Sequence, residues 1–129
     1  MQVNGRHYRT VWPEGRTVKM IDQRMLPYQF EILECQTCDE TAEAITTMAV
    51  RGAGAIGAAA GYAVAQAALA APDDGVLRAV DEASVMIRAT RPTARDLFYA
   101  VEQVQAAAHQ APRELAARDA AVETAQRVA

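Results

Sequence analysis

Val50-Arg51-Gly52-Ala53-Gly54-Ala55-Ile56-Gly57 is the stretch on which the reading of this chain turns. Its glycines at 52, 54 and 57 spell G-x-G-x-x-G, the fingerprint of a dinucleotide-binding βαβ unit, and an alanine-rich helical run follows it to Ala71. The fingerprint also needs a buried strand in front and, about 20 residues later, an acidic residue closing a second strand. Neither is there. Ala42-Glu43-Ala44-Ile45-Thr46-Thr47-Met48 reads as helix, and Asp73-Asp74 follow Ala70-Ala71-Pro72 rather than a strand. No nicotinamide or flavin cofactor is therefore expected. What survives is the physics of the motif: glycines ahead of an uncapped helix let a ligand approach the backbone, while first-turn N–H groups and the helix dipole favour an anion. Arg51 adds a planar, permanently charged fork beside them. A phosphate pocket is one reading. The other is a small-residue stripe of Gly54, Ala58, Gly61 and Ala65 for close helix packing, with Arg51 merely solvated. The two are compatible, and spacing alone leaves both open.

Upstream of the motif the hydrophobic period changes from helical to alternating. Thr37 and Glu40 have capping-box spacing and open a helix whose Ala44, Ile45 and Met48 share a face, ending near Ala49. Before it, Tyr8 to Trp12 and Thr17 to Ile21 are β-prone runs separated by Pro13-Glu14-Gly15-Arg16, which predicts a hairpin. A third alternating run, Tyr28 to Glu34, follows the break at Pro27 and joins the same small sheet. Downstream, the motif helix stops at Pro72. Asp73 or Asp74 is placed to cap the next one, which carries an apolar stripe of Val76, Leu77, Val80, Ser84 and Ile87. Arg91-Pro92-Thr93 fits another helix start with proline in its first position, continuing through Leu97, Phe98, Val101 and Val104 to about His109. A last helix runs from near Pro112 to the terminus. The predicted class is α+β: a small antiparallel sheet of about three strands over residues 1–36, then an alanine-rich bundle of about five helices over 37–129, in a single domain.

Composition agrees and narrows the function classes. The 129 residues are 51% hydrophobic but only 5% aromatic, and alanine supplies about a fifth of them, which favours close-packed helices. A net charge of -3, with basic residues scattered and Lys19 the single lysine, argues against nucleic-acid binding. The uncharged run Ala53 to Ala71 has the length of a membrane span. Its bulky apolar content is only Ile56, Tyr62, Val64 and Leu69, and Gln66 interrupts it, so it reads as the buried central helix of a soluble protein rather than a membrane segment. The first residues carry no apolar signal core, which makes the cytoplasm the expected compartment.

Three further features carry candidate chemistry. Arg91 precedes a helix start, where its charge opposes the dipole, so it can serve as a second fork on the same anion or stand exposed and idle. Cys35-Gln36-Thr37-Cys38 is C-x-x-C, but zinc would need two more ligands where the only histidines are His7 and His109, and nothing frames the pair as a redox motif. The cysteines read as structural or incidental, and no metal is expected. Trp12 and Tyr99 read as core or interface residues.

At Thr47-Met48-Ala49-Val50-Arg51-Gly52-Ala53-Gly54-Ala55-Ile56-Gly57 and Thr90-Arg91-Pro92-Thr93-Ala94 the chain closely resembles methylthioribose-1-phosphate isomerase and its relatives, ribose-1,5-bisphosphate isomerase and the regulatory α, β and δ subunits of translation initiation factor 2B. Ile21-Asp22-Gln23-Arg24-Met25-Leu26-Pro27 is similar to that family's early D-Q-R-x-L-P stretch and is taken as a structural turn. The resemblance runs from about residue 8 onward. It implies an N-terminal sheet-plus-helices domain, with a Rossmann-like domain carrying the family's catalytic Cys and Asp having no counterpart in these residues. It also implies that Arg51, Gly52, Ala53 and Arg91 contact a sugar phosphate, the family's isomerases interconverting an aldose and a ketose phosphate in methionine salvage. Gly54 departs from the pattern, since the isomerases usually carry proline there. Neither Cys35 nor Cys38 falls in a catalytic motif of the family, and acid/base chemistry at adjacent sugar carbons needs a positioned pair of groups. The expectation is a sugar-phosphate-binding domain without turnover of its own, completed by a separate C-terminal part and self-associating through exposed apolar faces. A non-catalytic regulatory module is the alternative.

Overall fold

The computed structural model describes residues 2–3, 6–7, 10–24 and 31–129, with side chains at 10–24, 31–113 and 116–129. The strand expected at Tyr8 to Trp12 lies partly outside those residues, as does the start of the run at Tyr28, the break at Pro27 and the side chain of Leu115. Within them the α+β class is observed: a three-stranded antiparallel sheet followed by five helices. A separate two-residue ladder pairs β1 (Gln2–Val3) with β2 (Arg6–His7).

The sheet has the order β3-β4-β5, with β3 at Val11–Glu14, β4 at Thr17–Ile21 and β5 at Ile32–Cys35. The hairpin turns on Gly15 and Arg16 alone, so Pro13 and Glu14 belong to the strand and not to the turn. Gly15 has φ 59, which a two-residue hairpin turn demands. Pro13 is tolerated because β3 is an edge strand and its pairing with Val18, one step from the closing Glu14–Thr17 pair, asks no N–H of it. β5 extends one residue beyond the expected Glu34. Leu33 and Cys35 face inward, while Ile32 and Glu34 are exposed. Lys19, in the central strand, bridges Glu14 and Glu34 on its two neighbours at 2.5 and 3.2 Å.

Helix α1 (Cys38–Thr46) begins as its capping box predicts: the Thr37 hydroxyl accepts from the Glu40 N–H at 3.2 Å, and the Glu40 carboxylate reaches back to the Gln36 N–H at 3.1 Å. It ends earlier than Ala49. The Met48 N–H bonds the Ile45 carbonyl and the Ala49 N–H bonds the Ala44 carbonyl, which is a Schellman closure with Met48 in the left-handed position at φ 65. Met48 is accordingly exposed instead of sharing the helix face with Ala44 and Ile45. Helix α2 (Ala53–Ala70) starts inside the glycine motif, so Gly54 and Gly57 are helical residues and not part of a break.

Three more helices surround α2: α3 (Val76–Thr90), α4 (Arg95–Gln110) and α5 (Glu114–Val128). Neither Asp73 nor Asp74 caps α3; Gly75 occupies that position without a side-chain bond, and Asp73 instead pairs with Arg118. The stripe of Val76, Val80, Ser84 and Ile87 is buried as expected, with Leu77 half-buried. Pro92 is not the first residue of α4. The Ala94 N–H bonds the Arg91 carbonyl, making Arg91 to Ala94 a β-turn with proline in its favoured second place, and the helix follows it.

Helix α2 meets the length and apolarity of a membrane span, yet 67% of it is buried against the rest of the fold. Alanine explains its central position, since small side chains let several helices approach one axis. A Cβ on Gly57 would stand 3.1 Å from the Asp96 carbonyl oxygen of α4, so any larger residue there would push that crossing apart by a few tenths of an ångström. Gly54 is different. It is exposed and has open space around it, so the small-residue stripe comprises Ala58, Gly61 and Ala65 without it. The one polar interruption, Gln66, is buried and acts as a staple. Its amide donates to the Arg16 and Cys35 carbonyls at 2.9 Å each and accepts from the Thr41 hydroxyl, joining α2 to the hairpin, β5 and α1.

Candidate functional site

The chain leaves α1 through two positive-φ residues, Met48 and Gly52, before α2 begins. Gly52 is the N-cap of α2 with φ 90 and ψ 137, and it offers no side chain to the first-turn N–H groups. A second helix start lies beside it: α4 is capped by Ala94, again with no side-chain bond. Gly52, Ala53 and Ile56 from the head of α2, together with Arg91, Thr93, Ala94, Arg95 and Asp96 from the head of α4, line one open cleft of about 400 Å3. Two uncapped positive dipole ends thus meet in one place.

Arg91 ends α3 and is half-buried, and its Nη1 is fully buried with no hydrogen-bond partner. A charged guanidinium nitrogen removed from water without an acceptor costs free energy. Arg95 adds a second positive charge at the rim, and Asp96 in the first turn of α4 opposes it.

Of the four residues expected to contact phosphate, the structure brings Gly52, Ala53 and Arg91 together. Arg51 is not among the lining residues. Its side chain is exposed and its Nε donates to the Met48 carbonyl at 3.3 Å. Thr93, whose hydroxyl the sequence places beside the Arg91 helix start, lines the cleft too, with Ile56 and Ala94; Arg95 and Asp96 escape a reading by sequence and become legible only with the helix start at Arg95 instead of Pro92.

Behind the cleft the D-Q-R stretch forms a turn, as expected. Asp22 is 3% exposed, and its carboxylate accepts from the Arg24 N–H, Nε and Nη2 at 3.1, 2.9 and 2.7 Å. Those bonds hold the Asp22 carboxyl below its ordinary range against the upward push of burial, with the Arg51 charge a smaller contribution. Arg24 also reaches the Thr47 hydroxyl at 3.3 Å. The Gln23 N–H donates to the Ala49 carbonyl at 2.8 Å, and its side-chain amide to the Arg51 carbonyl at 3.4 Å.

The cysteines are free. Burial raises the Cys35 thiol and pushes Cys38 up to about 12, so the fold does not activate either one toward the thiolate. Among the described residues no three of His, Cys, Asp and Glu gather in a way that could hold a metal ion. Trp12 is half-buried on β3; Tyr99 is 59% exposed on α4, outside the core.

Fold and cleft together define an α+β domain with a cationic cleft at the head of its central helix. No protein-family model matches the chain. Its sequence is 45% identical over 106 residues to the methylthioribose-1-phosphate isomerase of Methylobacterium nodulans, covering 81% of this chain and 28% of that protein. The enzyme of the same name from Methylorubrum populi is 41% identical over 114 residues, covering 87% of this chain and 30% of that protein. Among solved structures, 5-methylthioribose 1-phosphate isomerase from Pyrococcus horikoshii matches with a TM-score of 0.87 and 35% identity, over 94% of this chain and 35% of the other. Translation initiation factor eIF-2B, subunit delta, from A. fulgidus matches with a TM-score of 0.87 and 32% identity, over 95% and 36%. The chain belongs to the family of methylthioribose-1-phosphate isomerase and the initiation factor 2B regulatory subunits, and corresponds to its N-terminal domain. It spans about 30% of the length of the curated relatives it matches.

Proposed function

We propose that this chain is the sugar-phosphate-binding, N-terminal part of a cytoplasmic methylthioribose-1-phosphate isomerase and has no turnover by itself. The observation that carries the proposal is Arg91, which lines a cleft where two uncapped helix N-termini converge and whose Nη1 is buried without a partner. A phosphate dianion answers all three features, because it accepts from guanidinium and from backbone N–H groups together. Gly52 and Ala53 supply backbone donors, Arg91 the buried charge, and Arg51 an exposed charge beside the cleft that turns inward to the ligand. The cleft holds no acid/base pair suited to moving hydrogen between sugar carbons: among the described residues that line it, Asp96 is the one carboxylate and stands among cations. The catalytic groups that the family resemblance places in a C-terminal domain would come from a separate part. Phe98 and Tyr99, exposed one turn beyond the cleft on α4, offer an apolar surface for it or for a second copy.

Calorimetric titration with methylthioribose-1-phosphate tests the reading. Binding heat is expected from the intact chain, an affinity at least about tenfold lower for Arg91→Ala, and a smaller loss for Arg51→Ala. Absence of heat in the intact chain, or isomerase turnover by it, would overturn the proposal. The equal match to the eIF-2B delta structure favours a second reading, a regulatory module that senses a phosphorylated metabolite without chemistry. Binding of nucleotides in preference to methylthioribose-1-phosphate would select it.

A further inference from the structure

The segment from Thr47 to Gly52 carries the backbone of the proposed phosphate site, and residues 22–24 hold it at alternate positions. Arg24 bonds Thr47, the Gln23 N–H bonds the Ala49 carbonyl, and the Gln23 side chain bonds the Arg51 carbonyl. The last of these falls on the peptide that joins Arg51 to Gly52. That peptide needs a restraint. Gly52 has φ 90, and glycine imposes little torsional preference of its own on that plane.

We infer that Gln23 is a positioning residue, whose side-chain amide locks the Arg51–Gly52 peptide with its carbonyl toward the D-Q-R turn and its N–H toward the cleft. In a trans peptide the N–H lies antiparallel to the carbonyl, so turning the Arg51 oxygen to Gln23 turns the Gly52 N–H away from it. Gly52 lines the cleft and Gln23 does not, which makes that opposite side the cleft. The lock is itself well founded. The 2.8 Å backbone bond to Ala49 sets Gln23 in register, and the neighbouring buried Asp22 is tied by its N–H to the Glu31 carbonyl at 2.9 Å. The role of Gln23 in ligand binding rests on the sugar-phosphate reading, whereas the orientation of the peptide does not.

Gln23→Met keeps side-chain length and the backbone bond while removing the donor. Amide NMR of the free chain is expected to show the Gly52 cross-peak displaced or broadened, with those of Ser84 and Val101 in the distant bundle unmoved. An unmoved Gly52 cross-peak overturns the inference. Titration with methylthioribose-1-phosphate and with inorganic phosphate is expected to give affinities about tenfold weaker for the variant, with a thermal midpoint close to that of the parent. Equal affinities for parent and variant overturn it as well. If the parent binds neither ligand, the sugar-phosphate reading fails, and the Gly52 cross-peak alone decides for or against the lock.

Discussion

Helix α2 ends in two opposite ways. At its C-terminus Arg118, reaching over from α5, donates its Nε to the Ala68 carbonyl at 3.0 Å and its Nη2 to the Ala71 carbonyl at 2.7 Å, while Nη1 pairs with Asp73. Two carbonyls at this end are satisfied and the negative end of the dipole meets a full positive charge. At its N-terminus nothing equivalent happens. The cap is a glycine, no acidic residue lies in the first turn, and the nearest buried charge in the cleft is another cation, Arg91. A fold that closes one end of its central helix with a long-range arginine has the means to close the other. Leaving that other end electropositive costs stability, which is the pattern expected where a ligand completes the charge balance.

The sharpest way to break this contrast is to open the closed end. Arg118→Ala strands two carbonyls and an aspartate and withdraws the charge from the dipole, at an expected cost of about 3 kcal/mol, or roughly 10 °C in thermal midpoint. Phosphate affinity should stay within about twofold, because the proposed site lies at the far end of an 18-residue helix. The cleft substitution Arg91→Ala should do the reverse, weakening binding while leaving thermal stability unchanged or slightly raised, since it removes a buried charge that lacks a partner. A comparable loss of stability in both variants, by thermal melts read beside the calorimetry, would mean that the two ends do not differ in purpose.

Much of this is readable in the sequence, for identifiable reasons. The capping box at Thr37, the alternating strands and the α3 stripe are local signals, and the structure follows them. The displaced boundaries share another cause. Pro13, Pro92 and Asp73 each have a commonest local use, and each is reassigned by edge position, by a turn or by a partner distant in sequence: Pro13 on an edge strand, Pro92 in a turn, Asp73 paired with Arg118. Gly52, Ala53 and Arg91 are legible because a glycine ahead of a helix and an arginine beside a helix start are visible in order. That they line one cleft, that Nη1 of Arg91 is buried, and that Arg51 turns away depend on how α2 and α4 cross, and residue spacing does not encode that angle. The Arg118 clamp is illegible for the same reason, being formed between residues far apart along the chain.

The turn behind the open end supplies a pH test of the comparison. Asp22 is held below its ordinary value of 3.8 by its bonds to Arg24, so its contribution to stability is fully present above about pH 4 and is lost as pH falls through the lower folded value. Urea unfolding between pH 6 and pH 3 should therefore show a loss on the acid side that shrinks in Asp22→Asn. The segment it supports is the one bearing Arg51 and Gly52, and because Asp22 stays ionised in the folded chain down to its lowered value, phosphate affinity of the parent above that value should fall only as far as protonation of the phosphate explains. Equal acid profiles for parent and variant would show that the turn does not depend on this ion pair.

The smallest expected effect concerns Gly54, and it separates the backbone of the open end from its charge. Gly54 lies in the first turn of α2 with an ordinary helical backbone, and a Cβ added to it would meet nothing within 4 Å. Gly52 differs in its φ of 90, which penalises any side chain, and Gly57 in its close approach to Asp96. Alanine at 54 therefore brings no clash and no strain, and reduces the conformational freedom of the unfolded chain. Gly54→Ala should stabilise by about 0.5 kcal/mol, at the low end of the range for such changes because first-turn positions are only partly restrained. Its N–H is untouched, so phosphate affinity should not move. Gly54→Pro carries the same entropic gain and is tolerated sterically in a first turn, but it deletes the N–H. If the two variants bind phosphate alike, the Gly54 N–H is not a ligand and the site is held by Gly52, Ala53 and Arg91; if only proline weakens binding, the anion sits deeper over the axis of α2 than those three residues imply.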